Sequence, residues 1–285
     1  MKVRLTVTAI ALLALCVPAL AQQTIGELIH ESGLREGPIA FRDVPGWSAS
    51  RKILVWDRGF QLSELKARYP DASIVIVSSR QDALTHAADA GAIVGSCDGE
   101  LLEAATQLTW VQIFSAGAER CVDAPQIAGG KVVLSNMQKM SSATIAEHAI
   151  AMLLSLTRKL PQFSRIMQDG RWARGPADTA GMSTVAGKTL LVLGLGGIGT
   201  EVARRANAIG MTVIGTRNSK REGPSFVDYV GLADETLTLA ARSDFIVNAL
   251  PLTDATRGSL NAEFFAATPR GAYFVNVGRG ATVDT

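Results

Sequence analysis

Lys188-Thr-Leu-Leu-Val-Leu-Gly-Leu-Gly-Gly-Ile-Gly-Thr-Glu-Val-Ala-Arg-Arg-Ala-Asn-Ala-Ile-Gly-Met-Thr-Val-Ile-Gly-Thr-Arg217 is the stretch whose reading decides the fold. Thr189 to Leu193 is a short apolar run of the kind that forms a buried parallel strand. Gly194, Gly196 and Gly199 follow in G-x-G-x-x-G spacing. Ile198, Val202, Ala206 and Ile209 then recur at helical intervals, and Gly210 stands where a helix would stop. Met211 to Ile214 is a second apolar run, which completes strand, turn, helix and strand. In that context the glycines have separate tasks. The first permits a tight turn, the second lets the backbone approach a pyrophosphate, and the third lets the helix pack on the strand. The helix N-terminus adds free N–H groups and a positive dipole end. The stretch therefore reads as a dinucleotide-binding unit.

Working outward, the chain is long enough at 285 residues for one large or two ordinary domains. With 47% hydrophobic and 19% charged residues it is globular rather than disordered. A net charge of +2, without a basic block, excludes nucleic acid as the expected partner and favours small-molecule chemistry. Residues 1–21 form a separate segment. Lys2 and Arg4 precede the apolar run Leu5 to Val17, and Ala19-Leu20-Ala21 has the form of a cleavage site. A secretory leader is expected, hence an exported or periplasmic protein with no membrane attachment after cleavage, or a cytoplasmic one if the start codon is misassigned. Cys97 and Cys121 remain beyond the leader. They have no C-x-x-C spacing, so no zinc or other metal site is expected. In an oxidising compartment they could pair, but two unpaired, partly buried thiols are the expectation.

Residues 22–50 are polar and mixed, a linker or surface arm with a short helix over Thr24 to Ser32. From Arg51 onward strands and helices alternate. Lys52 to Trp56, Ala72 to Val77, Ala92 to Gly95, Trp110 to Phe114 and Val132 to Leu134 read as strands. Leu62 to Tyr69, Ala83 to Ala90 and Leu101 to Leu108 read as helices. Ile145, Ala149, Met152, Leu153, Leu156 and Leu160 then share one side of a long helix stopped by Pro161, which carries the chain into the second unit. After the glycine stretch come a strand near Phe226 to Val230, a helix over Leu232 to Ala241, and the strand Asp244 to Asn248. A helix over Asn261 to Ala267 and the strand Gly271 to Val277 follow. The alternation predicts an α/β protein with parallel sheets covered by helices on both faces.

Pro251-Leu-Thr-Asp-Ala-Thr-Arg-Gly-Ser-Leu-Asn261 and Gly271-Ala-Tyr-Phe-Val-Asn-Val-Gly-Arg-Gly280 carry further weight, with Ala146-Glu-His148 and Ser115-Ala-Gly117. Together with the glycine loop they resemble the D-isomer-specific 2-hydroxyacid dehydrogenase family, glyoxylate/hydroxypyruvate reductases in particular. The resemblance runs in register from about Lys52 to Thr285. It implies two doubly wound parallel-sheet domains, a flavodoxin-like substrate domain over 51–140 and a Rossmann NAD(P)-binding domain over 141–285, incomplete at Thr285. The implied activity is interconversion of a 2-oxo acid and a D-2-hydroxy acid, in a homodimer when the chain is full-length. The implied cofactor residues are Gly194, Gly196, Gly197, Ile198, Gly199, Thr216, Arg217, Asn218, Leu250, Pro251, Thr256, Val277 and Gly278. Arg279 is the implied catalytic arginine, and Gly95, Ser96 and Arg279 are the implied substrate contacts.

Hydride transfer to a ketone leaves negative charge on oxygen, so a cation or proton donor must stand there, and a guanidinium matches a carboxylate bidentately. The family's acid/base histidine and its glutamate partner would lie beyond Thr285. Of His30, His86 and His148, the last is expected to be a structural histidine satisfied by its neighbours. This leaves a catalytically inactive, truncated nucleotide-binding protein as the alternative, and an export-linked carboxylate-binding module as a third reading. Where an NAD enzyme places an acid after the second strand, this chain has Gly215-Thr-Arg-Asn218, with Lys220 and Arg221 close behind. NADP is thus the expected cofactor over NAD.

Overall fold

Residues 52–135 alternate strand and helix because short apolar runs are punctuated by capping residues. The computed structural model describes residues 43, 46–47, 51–59, 62–172, 175 and 179–285. The expected leader and the helix over Thr24 to Ser32 lie outside the described residues. The elements are β1 (Lys52–Trp56), α1 (Leu62–Arg68), β2 (Ile74–Val77), α2 (Arg80–Thr85), β3 (Ala90–Val94), α3 (Gly99–Ala104), β4 (Trp110–Gln112), α4 (Pro125–Ala128) and β5 (Val133–Ser135). The strands form one parallel sheet in the order β2-β1-β3-β4-β5, the flavodoxin-like order. Leu54, Val77, Ile93, Leu101, Leu102 and Val111 fill its core.

The second half begins with α5 (Ser142–Thr157) and α6 (Leu160–Gln168). It continues through β6 (Thr189–Leu193), α7 (Gly197–Ala208), β7 (Thr212–Thr216), β8 (Tyr229–Gly231), α8 (Thr236–Ala240), β9 (Phe245–Asn248), α9 (Ala262–Ala267) and β10 (Tyr273–Asn276). Its parallel sheet has the order β10-β9-β6-β7-β8. Counted from β6 this is 3-2-1-4-5, five strands of the doubly wound dinucleotide fold, with the switch point between β6 and β9. Alternation along β6 explains why the run is apolar throughout. Leu190 and Val192 pack with α5 and α7, whereas Leu191 and Leu193 pack with Leu239 and Phe264 on the other face. Each of these leucines is fully buried, and each contributes about 1.5–3 kcal/mol. Small residues on α5 and α7, Ala146 and Ala149 against Ala203 and Ala206, bring those helices close together.

Three expectations are corrected. The long helix is not stopped by Pro161. It ends at Thr157, Lys159 takes a left-handed conformation with φ 52°, and Pro161 sits in the first turn of α6. There the missing N–H has no intrahelical partner to lose. Leu160, expected on the apolar side of the long helix, is exposed.

Helix α1 starts at Leu62 as expected, but α2 and α3 are earlier and shorter than periodicity suggests. Ser79 caps α2 by accepting from the Asp82 N–H, and Asp98 caps α3 through the Leu101 N–H. Ala87, Ala105 and Leu108 are buried in the turns that follow, feeding the next strand rather than extending a helix.

Cys97 and Cys121, expected as free thiols, form a disulfide with Cα atoms 5.5 Å apart. They lie in the loops that leave β3 and β4, which the sheet order makes neighbours. That adjacency is invisible until the strand order is known.

Candidate functional site

The glycine turn divides the labour as its spacing predicts. Gly194 has φ +87°, a conformation open to glycine at little cost. Its N–H donates to Thr216 Oγ1 at 3.1 Å. Gly196 precedes α7, and a methyl group placed on it would meet no atom within 4 Å. Open space over a backbone at a helix N-terminus is what a pyrophosphate requires. On Gly199 the same methyl would lie 2.0 Å from the Gly194 carbonyl oxygen, so helix and turn are in direct contact. Gly197 faces Ser142 Oγ in the same way, at 2.7 Å.

Over this turn, outside the carboxyl ends of β6, β7 and β9, lies a cavity of about 730 Å³, within the range of small-ligand and cofactor sites. Its walls include Gly194, Gly196, Thr216, Arg217, Asn218, Leu250, Pro251 and Thr256. Gly197, Ile198, Gly199, Val277 and Gly278 are not part of its wall. Ile198 and Val277 pack against the sheet core, and a methyl on Gly278 would lie 2.7 Å from the Leu250 carbonyl oxygen.

Two hydroxyls of the wall are also tied into the scaffold. Thr216, 4% exposed, accepts from the glycine turn. Thr256 Oγ1 donates to the Pro251 carbonyl at 2.6 Å and accepts from the Thr253 N–H at 2.8 Å.

Arg217 lines the cavity, and its Nε is buried without a hydrogen-bond partner among the described residues. Arg221 is committed elsewhere, 2.6 Å from Glu235 and 3.1 Å from the Tyr229 hydroxyl. The Tyr229 hydroxyl and the Leu232 N–H, together with Arg221, hold the Glu235 carboxyl below its ordinary range. The open backbone over Gly196 and the unpartnered cation at the end of β7 fit a dinucleotide.

The second centre is built by polar residues that the sequence reading did not single out. β9 and β10 end on asparagines that are register partners, Asn248 and Asn276. Asn248 is fully buried. Its Nδ2 donates to Asn276 Oδ1 at 3.1 Å and to Thr282 Oγ1 at 2.8 Å, and its Oδ1 accepts from the Leu250 N–H at 3.1 Å. Asn276 Oδ1 accepts from the Gly278 N–H at 2.9 Å, and Thr282 Oγ1 donates to the Arg279 carbonyl at 2.6 Å. The one readable signal was the repeat Phe-Ile-Val-Asn248 and Tyr-Phe-Val-Asn276, an asparagine closing each of two apolar strands.

This network fixes the backbone of Arg279. Its side chain reaches the loop after β4, with Nε 3.1 Å from Glu119 Oε1. A methyl on Gly117 would fall 1.8 Å from Arg279 Nη2. Two segments far apart in sequence, Ser115 to Gly117 and Gly278 to Gly280, are thus brought together.

Gly95 is partly corrected. Its N–H donates to the Gln112 carbonyl at 2.7 Å and is not free for a carboxylate. The residue has φ +97°, and a side chain there would also strike Phe114 and Trp56. Ser96 Oγ accepts from the Asp98 N–H at 3.3 Å. Arg58, which sequence reading passed over, donates to the Gly95 carbonyl at 3.3 Å. His148 is corrected too: it is exposed on α5 rather than satisfied by neighbours, while adjacent Glu147 pairs with Arg205 at 3.0 Å. His86 lies 3.8 Å from Asp82.

Fold and site together define a two-sheet α/β protein with a dinucleotide cavity and an arginine standing at the sheet's carboxyl edge. Residues 150–285 match the model of the D-isomer specific 2-hydroxyacid dehydrogenase NAD binding domain. The chain is 30% identical over 248 residues to a glyoxylate reductase of Korarchaeum cryptofilum, covering 85% of this chain and 71% of that protein. It is 31% identical over 185 residues to a hydroxypyruvate reductase of Thermotoga maritima, covering 65% of this chain and 58% of the relative, little more than half its length. A D-isomer specific 2-hydroxyacid dehydrogenase family protein of Aeromonas salmonicida subsp. salmonicida A449 superposes with a TM-score of 0.72 at 28% identity, over 83% of this chain and 75% of that one. The chain belongs to the D-isomer-specific 2-hydroxyacid dehydrogenase family.

Proposed function

We propose that this chain provides the nucleotide site and the carboxylate clamp of an NAD(P)-dependent reductase acting on a small 2-oxo acid to give a D-2-hydroxy acid. The observation that carries the reading is Arg279, held by the Asn248–Asn276–Thr282 network at the end of β10 and pointing at the Ser115–Glu119 loop. Gly194, Gly196 and the N-terminus of α7 would hold the pyrophosphate of the cofactor, and Leu250 and Pro251 form part of the cavity wall beside it. When bound, the reduced nicotinamide supplies the hydride. Arg279 holds the substrate carboxylate and offsets the charge that develops on the ketone oxygen, which takes up its proton from solvent or from a donor other than this guanidinium. The names of the relatives, glyoxylate reductase and hydroxypyruvate reductase, support a two- or three-carbon substrate. They lend no support to the alternative of a catalytically inactive protein.

NADP over NAD is the finer reading. It is supported by the absence of an acid at Thr216-Arg217-Asn218, by the unpartnered Arg217 Nε and by Lys220 in the cavity wall. Arg221 lends no support, since Glu235 engages it. Titration of nicotinamide fluorescence at fixed salt is expected to give about tenfold tighter binding of NADPH than of NADH, and Arg217→Gln should remove most of that difference. Equal or tighter NADH binding by the unaltered chain sinks the preference. Oxidation of NADPH in the presence of glyoxylate or hydroxypyruvate tests the reaction itself.

Export is part of the same proposal. The leader pattern of residues 1–21 supports it, and so does the Cys97–Cys121 disulfide, a bond that persists in oxidising compartments. Cell fractionation with N-terminal mass measurement should find Gln22 as the first residue. Uncleaved protein in the cytosol would remove this reading.

A further inference from the structure

The ion pair between Arg279 and Glu119 has a consequence for which acids the clamp admits. A guanidinium binds a carboxylate by one of its edges. In Arg279 the Nε is already 3.1 Å from Glu119 Oε1, and Nη2 lies over Gly117. Glu119 is not a wandering surface carboxylate, because its loop is fixed at several points. Ser115 Oγ donates to the Gly117 carbonyl at 2.7 Å, and Asn136 Nδ2 donates to the Ala116 carbonyl at 2.7 Å. The Cys121 N–H bonds the Ala118 carbonyl at 2.8 Å, and Cys121 itself is joined to Cys97. The disulfide ties the Glu119 loop to the loop carrying Gly95 and Ser96, so the negative charge is held at a set place beside the clamp. Arg58, a cation beside Gly95, donates to the Gly95 carbonyl.

We infer that Glu119 is a specificity-determining residue: its carboxylate, held against Arg279, admits 2-hydroxy and 2-oxo acids with a single carboxylate and disfavours those bearing a second anionic group. The inference rests on the reading of Arg279 as the carboxylate clamp. Arg279 and Glu119 together are neutral. One substrate carboxylate makes the site singly negative, and a second anion must be placed near two like charges with no further free cation from this pair. Both side chains are partly exposed, 41% and 36%, so solvent moderates the repulsion without removing it.

Glycolate and tartronate are suited to the test, since both are 2-hydroxy acids and differ by one carboxylate. Their dissociation constants are measured by calorimetry on the whole chain saturated with NADP, for the unaltered protein, Glu119→Gln and Arg279→Gln. Glutamine keeps the size of Glu119 and can still accept from Nε. Glu119→Gln is expected to improve tartronate binding relative to glycolate by about three- to tenfold, and the gain should shrink at high ionic strength, which a purely structural effect would not do. If both acids bind and their ratio does not change in Glu119→Gln, the inference is wrong and the clamp stands. If Arg279→Gln binds both acids as well as the unaltered chain does, the clamp reading fails and takes the inference with it.

Discussion

The two centres of this protein are built on opposite plans. The phosphate-facing turn of the nucleotide cavity rests on one contiguous stretch, Thr189 to Thr216, in which strand, turn and helix N-terminus follow each other and the glycines act through local backbone geometry, while Leu250, Pro251 and Thr256 complete the wall. The carboxylate centre is assembled from afar. Arg279 comes from the end of the second sheet, Gly117 and Glu119 from a loop of the first, and Asn248 and Thr282 hold the arginine from below. A local site can be damaged by one methyl group in its own turn. A distributed site depends on a single charged side chain whose supports are spread over the sheet. The comparison therefore predicts that the two centres fail separately, and differently.

The largest effect is expected at the distributed centre. Arg279→Gln should lower turnover of a 2-oxo acid by about two to three powers of ten, the usual cost of removing one group that offsets charge in the transition state. Affinity for NADPH should change less than about twofold, because Arg279 is not part of the cavity wall. A parallel loss of nucleotide affinity would show that the two centres are one site, and would break the comparison.

Next in size is a contrast within the glycine turn. Gly199→Ala puts a methyl 2.0 Å from the Gly194 carbonyl oxygen. Helix α7 must move off β6, with a cost of about 1–3 kcal/mol in stability and loss of nucleotide binding. Gly196→Ala meets no atom of the protein within 4 Å. It should leave the chemical-denaturation midpoint almost unchanged while weakening nucleotide binding by an order of magnitude or more, about 1.4 kcal/mol or above. Equal destabilisation by both would mean that the space over Gly196 is structural and not a ligand seat.

The contrast also explains what was legible in the sequence. Strands β6, β7, β9 and β10 and the glycine turn could be read because their determinants are neighbours in the chain: apolar runs, φ-permissive glycines and helical spacing from Ile198 to Ile209; β8, expected near Phe226 to Val230, runs over Tyr229–Gly231. Helix ends were read less well. Ala87, Ala105 and Leu108 look helical by period, yet they lie beyond the ends of α2 and α3, whose starts are set by the caps at Ser79 and Asp98. Pairings across strands were not legible at all. The Cys97–Cys121 disulfide, the Glu119–Arg279 pair and the asparagine network join residues that become neighbours only once the order of parallel strands is set. Arg279 itself was recognised through a motif, whereas Glu119, its partner, had no signal of its own.

The smallest effect lies on the outer face of α7, which tests whether that helix is held only by its glycine and alanine face. Glu201 stands 2.7 Å from Arg204 and also contacts Arg205, which reaches Glu147 of α5 at 3.0 Å. The hydrogen bond from Arg204 holds the Glu201 carboxyl below its ordinary value of 4.5, with Arg205 adding to it against a partial desolvation. A carboxyl whose folded pKa is depressed favours the folded state wherever the unfolded chain binds the proton more readily. This contribution is fully present above the unfolded value. It fades as pH falls below about 4.5 and is gone once pH drops through the folded pKa. The side chain is 29% exposed, so solvent screening keeps the pair to a few tenths of a kcal/mol, about 1 at most. Glu201→Gln should therefore lower stability slightly at neutral pH, and its deficit relative to the unaltered chain should narrow as pH falls below about 4.5. Denaturation curves across that range measure it. A deficit that stays constant as pH falls would mean that the loss in Glu201→Gln comes from packing and not from this charge, and that the pairs within α7 add nothing to the helix whose N-terminus the nucleotide requires.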